Sequence, residues 1–476
     1  MNMYNHTIDM DAARRNKILT QYLNDRQADM IQDVCDFVRI PSVSHDREKV
    51  REALDHILNL AKGFGFHTKS CLDGQVGVIE TGEGDEVLGI LSHVDVVGPG
   101  NMDQWKTDPF DPVVKDGKIF GRGTLDDKGP AIASLYAMRA VCELGLPLKK
   151  RIQLILGTQE EVEWTDMEAY VKQYPLPDYG FTPDGEFPMC NIEKGGLDLK
   201  LVFPLETGNP AGKLSSGSHD LPDGRYLTRI EAGTASNVVP GACKAQITEY
   251  RSGKAEQTVI ECRGKAVHSC QPEKGENAIF IMAEQLKSLE LNENRLYSLL
   301  RMIQERLGDV YGGGLGLCSE SEYYNGEFVH RNVFSPTLLK TENGALELSV
   351  NARFPYGANV NEIIDCFQEI TGEFGGEIVH TGILPAVYVS KEKPFIKAFV
   401  DAYDQVSGRK NEFVLAYGGS YAKAMPNIVS WGPIFPGDED TCHEENEYIS
   451  ISCLMDNAKI FAAAVSSIVL SADSYK

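Results

Sequence analysis

The chain has 476 residues, 42% of them hydrophobic and 24% charged, a composition that fits a globular, soluble protein. At about 100–200 residues per domain, this length excludes a single ordinary core and predicts two or three domains. The formal net charge is −23, from 69 acidic and 46 basic residues. This acidic excess argues against nucleic acid as a partner, because a phosphate backbone is bound by a basic surface.

The cysteines and the apolar runs bear on the cellular location. The 11 cysteines include no CxxC pair, which predicts reduced thiols in a cytoplasmic protein rather than disulfides. The first residues contain no continuous apolar segment of a signal peptide. No apolar run reaches the roughly 18 residues of a membrane span, and the run at 460–470 predicts a packed terminal helix. We therefore expect no membrane partner.

The first 190 residues alternate between helical and strand patterns. Apolar residues at helical spacing alternate with short runs rich in β-branched residues, some of them almost entirely apolar. In chain order, the patterns predict helices at 28–40, 47–66 and 128–146, and strands at 76–80, 86–97 and 151–161. This alternation predicts an α/β domain with a mostly parallel sheet flanked by helices.

The pattern changes to an α+β type between about 191 and 384. Residues 213–228 are rich in turn formers. Half-buried strands are predicted at 242–250, 257–264 and 346–355, with a helix at 277–289. A helical pattern at 393–408 then resumes the α/β type. We therefore predict one domain from 1–190 with 385–476, and a second domain, 191–384, inserted into it.

Charged side chains follow several of the predicted strands and recur near the end of the chain. They are His93 and Asp95 in "SHVDVV", Asp126 and Asp127 in "GRGTLDDKGP", Glu160 and Glu161 in "TQEEVEW", Asp184 in "FTPDGEFP", and His443 in "DTCHEENEY". Each cluster alone also fits a solvated loop or an ordinary turn. In open α/β sheets, however, sites form outside the carboxyl ends of the strands, so we expect these side chains to converge.

The residue types indicate a metal centre. Imidazole and carboxylate without thiolate are the ligands of catalytic zinc, cobalt or manganese. Two histidines and three carboxylates are too many for one open metal, but they suit two ions that share one carboxylate. If two ions share the Asp126 carboxylate, the burial of two adjacent aspartates is explained, since each uncompensated buried charge costs roughly several kcal/mol. Asp95 can orient the ring of His93 from the same strand face, and Glu160 is left to take a proton from the attacking water.

With these motifs in this order and spacing, the sequence resembles the co-catalytic zinc family of dipeptidases, aminoacylases, carboxypeptidase G and succinyl-diaminopimelate desuccinylase. The length and the long insertion look most like the peptidase V-type bacterial dipeptidases. The resemblance implies two divalent ions per chain, zinc or alternatively manganese or cobalt. It implies His93, Asp126 and Asp184 as ligands of one ion, Asp126, Glu161 and His443 as ligands of the other, Asp95 as support, Glu160 as general base and acid, and a cis peptide bond after Asp126.

The resemblance extends into the insertion and beyond it. It implies that His268 in "GKAVHSCQP" stabilises the oxyanion, that Asn237 in "GTASNVVPG" contacts substrate, and that Arg353 in "NARFP" clamps the substrate carboxylate. Gly419, Ser420 and Tyr421 in "AYGGSYAKAMPN" match a substrate loop with backbone donors. Without the family context, His268, Asn237 and Arg353 also fit structural or surface roles. Similar dipeptidases carry arginine where this chain has Lys423. Lysine cannot bind a carboxylate in the bidentate manner of arginine, so this difference weakens the implied preference for dipeptides.

The predicted function is metal-dependent hydrolysis of a dipeptide by a dinuclear centre with a Glu general base. An N-acyl-amino-acid amidase or desuccinylase of the same family is the alternative, since the same metals would serve. A binding protein without catalysis is disfavoured by the intact Glu160. A mononuclear iron oxygenase is disfavoured by the surplus carboxylates. The insertion is about twice the size of the dimerising lid in shorter members, which predicts a catalytically sufficient monomer.

Overall fold

The structure is a computed structural model that describes residues 11–205 and 222–476. These residues form two compact units. The first comprises 11–192, 388–414 and 420–476, and the second comprises 193–205, 222–387 and 415–419. The short segment 415–419 is not part of the predicted insertion, 191–384. Most of the turn-rich stretch 213–228 lies outside the described residues, and from Gly224 onward it forms a strand.

The helices of the described residues begin and end as follows. They are α1 (Ala12–Asn24), α2 (Gln27–Val38), α3 (Arg47–Gly63), α4 (Lys128–Glu143), α5 (Thr165–Gln173), α6 (Ala278–Lys287), α7 (Arg295–Leu307), α8 (Val360–Glu373), α9 (Pro394–Ser407) and α10 (Ile451–Val469). The helices predicted at 28–40, 47–66, 128–146, 277–289 and 393–408 correspond to α2, α3, α4, α6 and α9.

The strands are distributed over both units. They are β1 (His67–Cys71), β2 (Val76–Thr81), β3 (Val87–His93), β4 (Val113–Lys115), β5 (Lys118–Phe120), β6 (Arg151–Gly157), β7 (Tyr179–Thr182), β8 (Gly185–Glu186), β9 (Met189–Glu193), β10 (Gly195–Pro204), β11 (Gly224–Ala232), β12 (Ala242–Arg251), β13 (Lys254–Arg263), β14 (Tyr323–Tyr324), β15 (Glu327–Phe328), β16 (Val333–Glu342), β17 (Ala345–Phe354), β18 (Glu377–Leu384), β19 (Val387–Tyr388), β20 (Phe413–Ala416), β21 (Ile428–Trp431), β22 (Pro433–Ile434) and β23 (Tyr448–Ser450).

The first unit is built on a mixed sheet that helices flank. Seven of its nine described strands run in the order β1-β2-β6-β3-β7-β21-β9, and β19 and β20 both pair with β9. The central strands β6, β3, β7 and β21 are parallel, whereas β2 and β9 pair with their inner neighbours in antiparallel fashion. The predicted α/β class is confirmed, and the antiparallel strands are an addition to it. Because β3, β6 and β7 are parallel, the residues that follow them meet at one edge of the sheet.

Helix α10 contains the predicted terminal helix at 460–470. It is long and apolar enough to cross a membrane by length and composition alone, and 72% of its most apolar window is buried inside the protein. Its buried residues pack against α1, α4 and α9. This burial is the pattern of a core helix.

The second unit is an antiparallel sheet covered by helices. Its strands run in the order β13-β12-β11-β16-β17-β10-β18. Helix α6 packs on β12 and β13, α7 packs on β11 and β16, and α8 packs on β10 and β18. Alternate residues of β10 join this core, namely Leu197, Leu199, Leu201 and Phe203. Such alternation is typical of a sheet with one covered face.

Strand β3 is shorter than its apolar pattern predicts. It ends at His93, whereas the sequence predicts a strand over 86–97. Beyond it, the main-chain N–H of Val94 donates to Gly157 O (3.0 Å) and that of Val96 donates to Ser42 O (2.9 Å). The Val94 bond is the last one of the β3–β6 ladder, which ends at the pair of His93 and Gly157, and Val96 bonds to the segment of Ser42 instead. Both valines are buried, which explains why composition alone overestimates the strand.

Candidate active site

His93 closes the buried strand β3 and is fully buried. Its Nδ1 lies 2.9 Å from the backbone O of Asp95 and 3.4 Å from the Asp95 carboxylate. A carbonyl oxygen can only accept, so Nδ1 carries the proton and Nε2 of the neutral ring presents its lone pair. The sequence analysis expected Asp95 to lie on the same strand face as His93, and this expectation was wrong. Asp95 lies beyond the end of β3 and contacts His93 from the following loop.

Asp126 lies between two imidazole rings. Its Oδ1 is 2.9 Å from His93 Nε2, and its Oδ2 is 2.9 Å from His443 Nε2. The residue lies two positions before Lys128, where α4 begins, and is 8% exposed. The Asp126–Asp127 peptide bond is cis, as the resemblance implies. Each oxygen of one carboxylate therefore faces a different histidine, which is the arrangement a bridging ligand requires.

The neighbouring Asp127 has a different environment. It is fully buried and accepts a hydrogen bond from Ser92 Oγ at 2.5 Å. Burial raises the pKa of this carboxyl well above its usual value. Asp127 therefore belongs to the packing beneath the site, while Asp126 faces the histidines.

The loop after β6 carries Glu160 and Glu161, and it donates backbone hydrogen bonds to the carboxylate of Asp95. The two carboxylate oxygens of Asp95 accept the backbone N–H groups of Glu160 (3.2 Å) and Glu161 (3.3 Å), and Ser44 Oγ also donates to Asp95 (2.8 Å). Glu161 lies 3.0 Å from His443 Nε2. Asp95 thus contacts both the His93 ring and the loop of the two glutamates.

Asp184 follows β7 and completes the cluster. Its Oδ2 lies 4.0 Å from His93 Nε2. Ligand atoms of His93, Asp126 and Glu161 lie within 4.8 Å of one another, and so do those of His93, Glu160 and Asp184. The structure therefore brings together every residue that the sequence placed at the sheet edge. Glu160 is one of the possible ligands in the second of these groups, so its separate role as a base is a proposal.

The electrostatics of the cluster favour bound cations. Burial, followed by the charge of Asp184, raises the pKa of Glu160 well above its usual value. Burial, followed by the charge of Asp126, raises the pKa of Asp184 to about 8 and also raises that of Glu161. For Asp126, the contacts with the His443 and His93 rings outweigh the burial and lower the pKa. The buried carboxylates outnumber the imidazoles, and oxygen and nitrogen donors of this kind fit zinc, manganese or cobalt dications.

Tyr421 supports the cluster through its side chain, a role that the sequence interpretation missed. Its ring packs edge-on against His93 and Trp164, and its hydroxyl donates to Asp166 Oδ2 at 2.8 Å. The same carboxylate oxygen accepts the backbone N–H of Thr158 (2.6 Å). A Cβ at Gly157 would lie 2.3 Å from the tyrosine hydroxyl, so only glycine permits this packing. The position inside a glycine-rich motif gave no signal of this contact.

The other residues predicted in the 419–423 loop have distinct environments. Gly419 is exposed, whereas Ser420 and Lys423 are buried. Ser420 Oγ caps the short helical turn that follows by accepting from the N–H of Ala422 (3.3 Å). Their roles in substrate binding stay predictions.

In the second unit, Asn237 and His268 lie side by side and are both exposed. Val238 and His268 form an antiparallel bridge, and Asn237 O accepts the N–H of Ser269 at 2.8 Å. His268 Nδ1 accepts the backbone N–H of Cys270 at 3.1 Å. In the neutral ring the proton is therefore on Nε2, which is the tautomer that can donate to an oxyanion.

Arg353 lies near the end of β17 and is 8% exposed. Its positive charge acts on two neighbours that the sequence interpretation did not include. Burial, with Arg353 adding to it, lowers the pKa of Lys194 to about 7. Burial raises the pKa of the Cys270 thiol, and Arg353 followed by Lys194 opposes that rise. Arg353 and Lys194 are both buried in this unit, and the charge of Arg353 disfavours the charged form of Lys194.

Ser269 connects the His268 segment to the sheet of the second unit. Its Oγ donates to Asn351 Oδ1 (2.8 Å), and Asn351 Nδ2 donates to Asp198 Oδ1 (2.6 Å). We expect Ser269→Ala to lower the free energy of unfolding by about 1–3 kcal/mol, because a buried acceptor loses its donor. Urea denaturation measures this. Ser288→Ala, at an exposed helix end, is the control, and equal stability of both variants would contradict the expectation.

The comparisons with known proteins agree with this geometry. Residues 89–467 match the model of "Peptidase family M20/M25/M40". The chain belongs to this peptidase family. It is therefore a hydrolase of the metallopeptidase type, which confirms the family resemblance read from the motifs.

Individual relatives extend over nearly the whole chain. The Bacillus subtilis (strain 168) protein named "Putative dipeptidase YtjP" is 33% identical over 474 residues, covering 92% of this chain and 97% of the relative. Human carnosine dipeptidase 1 shares the fold with a TM-score of 0.61 at 15% identity, covering 94% of this chain and 98% of that one. The Bacillus subtilis YXEP protein, described as a dinuclear metal binding peptidase, has a TM-score of 0.54 at 12% identity and covers 94% of this chain and 99% of its own.

Proposed function

We propose that this M20 hydrolase cleaves dipeptides with two divalent metal ions and Glu160 as general base. The observation that carries the proposal is Asp126, whose oxygens each lie 2.9 Å from a different histidine. His93, Asp126 and Asp184 would hold one ion, and Asp126, Glu161 and His443 would hold the other. When bound, the two ions polarise the scissile carbonyl and lower the pKa of the attacking water.

Glu160 moves the proton in this proposal. It accepts a proton from the attacking water and delivers it to the leaving amine. Asp95 accepts the Glu160 backbone N–H at 3.2 Å and so fixes the backbone that carries this side chain.

The second unit is proposed to bind the substrate and the developing negative charge. His268 Nε2 donates to the oxyanion because Nδ1 already accepts the N–H of Cys270. Arg353 binds the substrate's terminal carboxylate with its guanidinium fork. Asn237 and the backbone N–H groups of Gly419 and Ser420 contact the rest of the substrate.

The dipeptide preference has two supports. The buried guanidinium of Arg353 suits a substrate with a free carboxylate close to the scissile bond. The relative with 33% identity carries the word dipeptidase in its name. An N-acyl-amino-acid amidase or desuccinylase also releases a free carboxylate product, so substrate assays must separate the two.

A substrate panel with metal removal tests the proposed function. We expect dipeptides to be hydrolysed faster than N-acetyl and N-succinyl amino acids. Chelation should abolish activity, and zinc, manganese or cobalt should restore it, because the carboxylate cluster needs the cations. Faster cleavage of the acyl amino acids would favour the alternative, and full activity after verified metal removal would contradict the metal-dependent mechanism.

A further inference from the structure

Glu447 is a fully buried carboxylate that organises the loop before α4. Its Oε1 accepts the backbone N–H groups of Gly123 (3.0 Å), Leu125 (2.8 Å) and Asp126 (3.3 Å). Its own backbone O accepts the N–H of Gly121 at 2.9 Å. One carboxylate oxygen thus holds the backbone of Asp126 and of two residues just before it.

The second oxygen of Glu447 is held by Arg122. The guanidinium Nη1 donates to Oε2 at 2.7 Å, and both side chains are 1% exposed. The Arg122 guanidinium also lies over the ring of Trp105, 5.5 Å from its centroid. Breaking a buried ion pair by removing one partner leaves an uncompensated charge, so loss of either side chain should lower the stability of the protein.

Glu447 also belongs to the segment that carries His443. Thr441 Oγ1 donates to Tyr448 O (3.3 Å) and accepts the N–H of Tyr448 (3.2 Å), which closes the segment 441–448 on itself. The following strand β23 then pairs with β5. His443 and Glu447 therefore lie in one closed segment, and Glu447 joins this segment to the Asp126 loop.

We propose that Glu447, held by Arg122, is a positioning residue that keeps Asp126 opposite His443, so that the Asp126 carboxylate can meet two ions. This inference rests on the proposed two-metal centre. Asp126 and His443 are distant in sequence, and their 2.9 Å contact depends on loops that Glu447 connects directly. Without the connection, the Asp126 backbone loses its acceptor and the carboxylate is no longer fixed relative to the imidazole.

The direct test is metal binding by the folded Glu447→Gln variant. The amide keeps the size of the side chain but cannot accept from both the loop N–H groups and Arg122. Substitution of groups that orient metal ligands raises the Kd for the metal by about 10- to 100-fold. We expect such a rise for at least one ion, measured by titrating metal-stripped protein with Zn²⁺ and by following the Co²⁺ visible spectrum.

A purely structural role makes a different prediction. In that case Glu447→Gln lowers the melting temperature of the metal-free protein but leaves the Kd of the folded protein within about twofold of the wild-type value. This result would overturn the proposal. Glu86→Gln is the control, because Glu86 accepts the N–H of Tyr475 (3.0 Å) in the first unit and is not among the cluster residues. It should change stability without changing the Kd.

A second variant covers the case in which Glu447→Gln does not fold. Arg122→Lys keeps the charge pair and leaves the loop contacts of Glu447 in place, so a smaller rise in Kd is expected, and an unchanged Kd would contradict the proposal. The wild-type titration separates this inference from the proposed function. If the wild type binds only one ion, the two-metal centre fails; if it binds two and the variants match it, only the positioning role fails.

Discussion

Glu160→Gln should lower kcat by about 10²- to 10⁴-fold, the usual contribution of a general base. The amide is nearly the same size but cannot take a proton from the attacking water. We expect KM to change little and both metal ions to remain bound, since the proposed ligands are unchanged. Initial rates on a good dipeptide, with metal content measured on the same sample, check this.

The Glu160→Gln test has a matched control in the same loop and one outcome that would contradict the role of Glu160 as base. Glu163→Gln alters an exposed glutamate of the same loop and should retain full activity. If Glu160→Gln instead lost one metal ion, Glu160 would be a ligand rather than the base. That outcome is a real alternative because Glu160, His93 and Asp184 have ligand atoms within 4.8 Å of one another.

His268→Ala should lower kcat by about 10²- to 10³-fold, the typical cost of removing one oxyanion donor. The expected loss arises in the transition state, because Nε2–H of His268 donates most strongly when the carbonyl oxygen becomes negative. KM and metal content should change much less. Steady-state kinetics separate the two parameters.

A histidine elsewhere in the second unit provides the control for His268. His380→Ala, at an exposed position of β18, should leave kcat unchanged. A His268→Ala variant with normal kcat and a raised KM would show that the imidazole only binds substrate. That result would remove the oxyanion role.

Mixing two inactive variants tests whether one chain suffices. A His268→Ala chain and a Glu160→Ala chain should give no activity when combined, because we propose that both residues act within one monomer. Restored turnover would show that His268 is supplied by another chain. Sizing of the mixture by light scattering would then give the oligomeric state.

The strands show how far periodicity predicts the fold. The buried strand at β6 and the alternating strands β12, β13 and β17 follow from apolar patterns in the sequence. The end of β3 does not, because Val96 is as apolar as the strand residues but bonds to Ser42 O rather than to a strand of the main sheet. The segment 415–419 joins the second unit for a similar reason: the N–H of Lys194 bonds to Ala416 O, a contact between residues far apart in sequence.

The supporting residues of the site mark the limit of the sequence interpretation. His93, Asp126, Glu160, Glu161, Asp184 and His443 were found because their charged side chains interrupt apolar strands or stand in motifs. Glu447 and Tyr421 stand in the same motifs but give no such signal. Their importance follows from burial and from hydrogen bonds to loops elsewhere in the chain.

The sequence by itself determined the α/β class, the family and the identity of the clustered imidazoles and carboxylates, because residue type and local spacing carry that information. Only the tertiary structure decided which oxygen of Asp126 faces which histidine, how Asp95 holds the Glu160 loop, and how Glu447 joins the Asp126 and His443 segments. These features depend on distances between residues remote in sequence. Such distances are set by the packing of parallel strands and by buried hydrogen bonds, which no local pattern records.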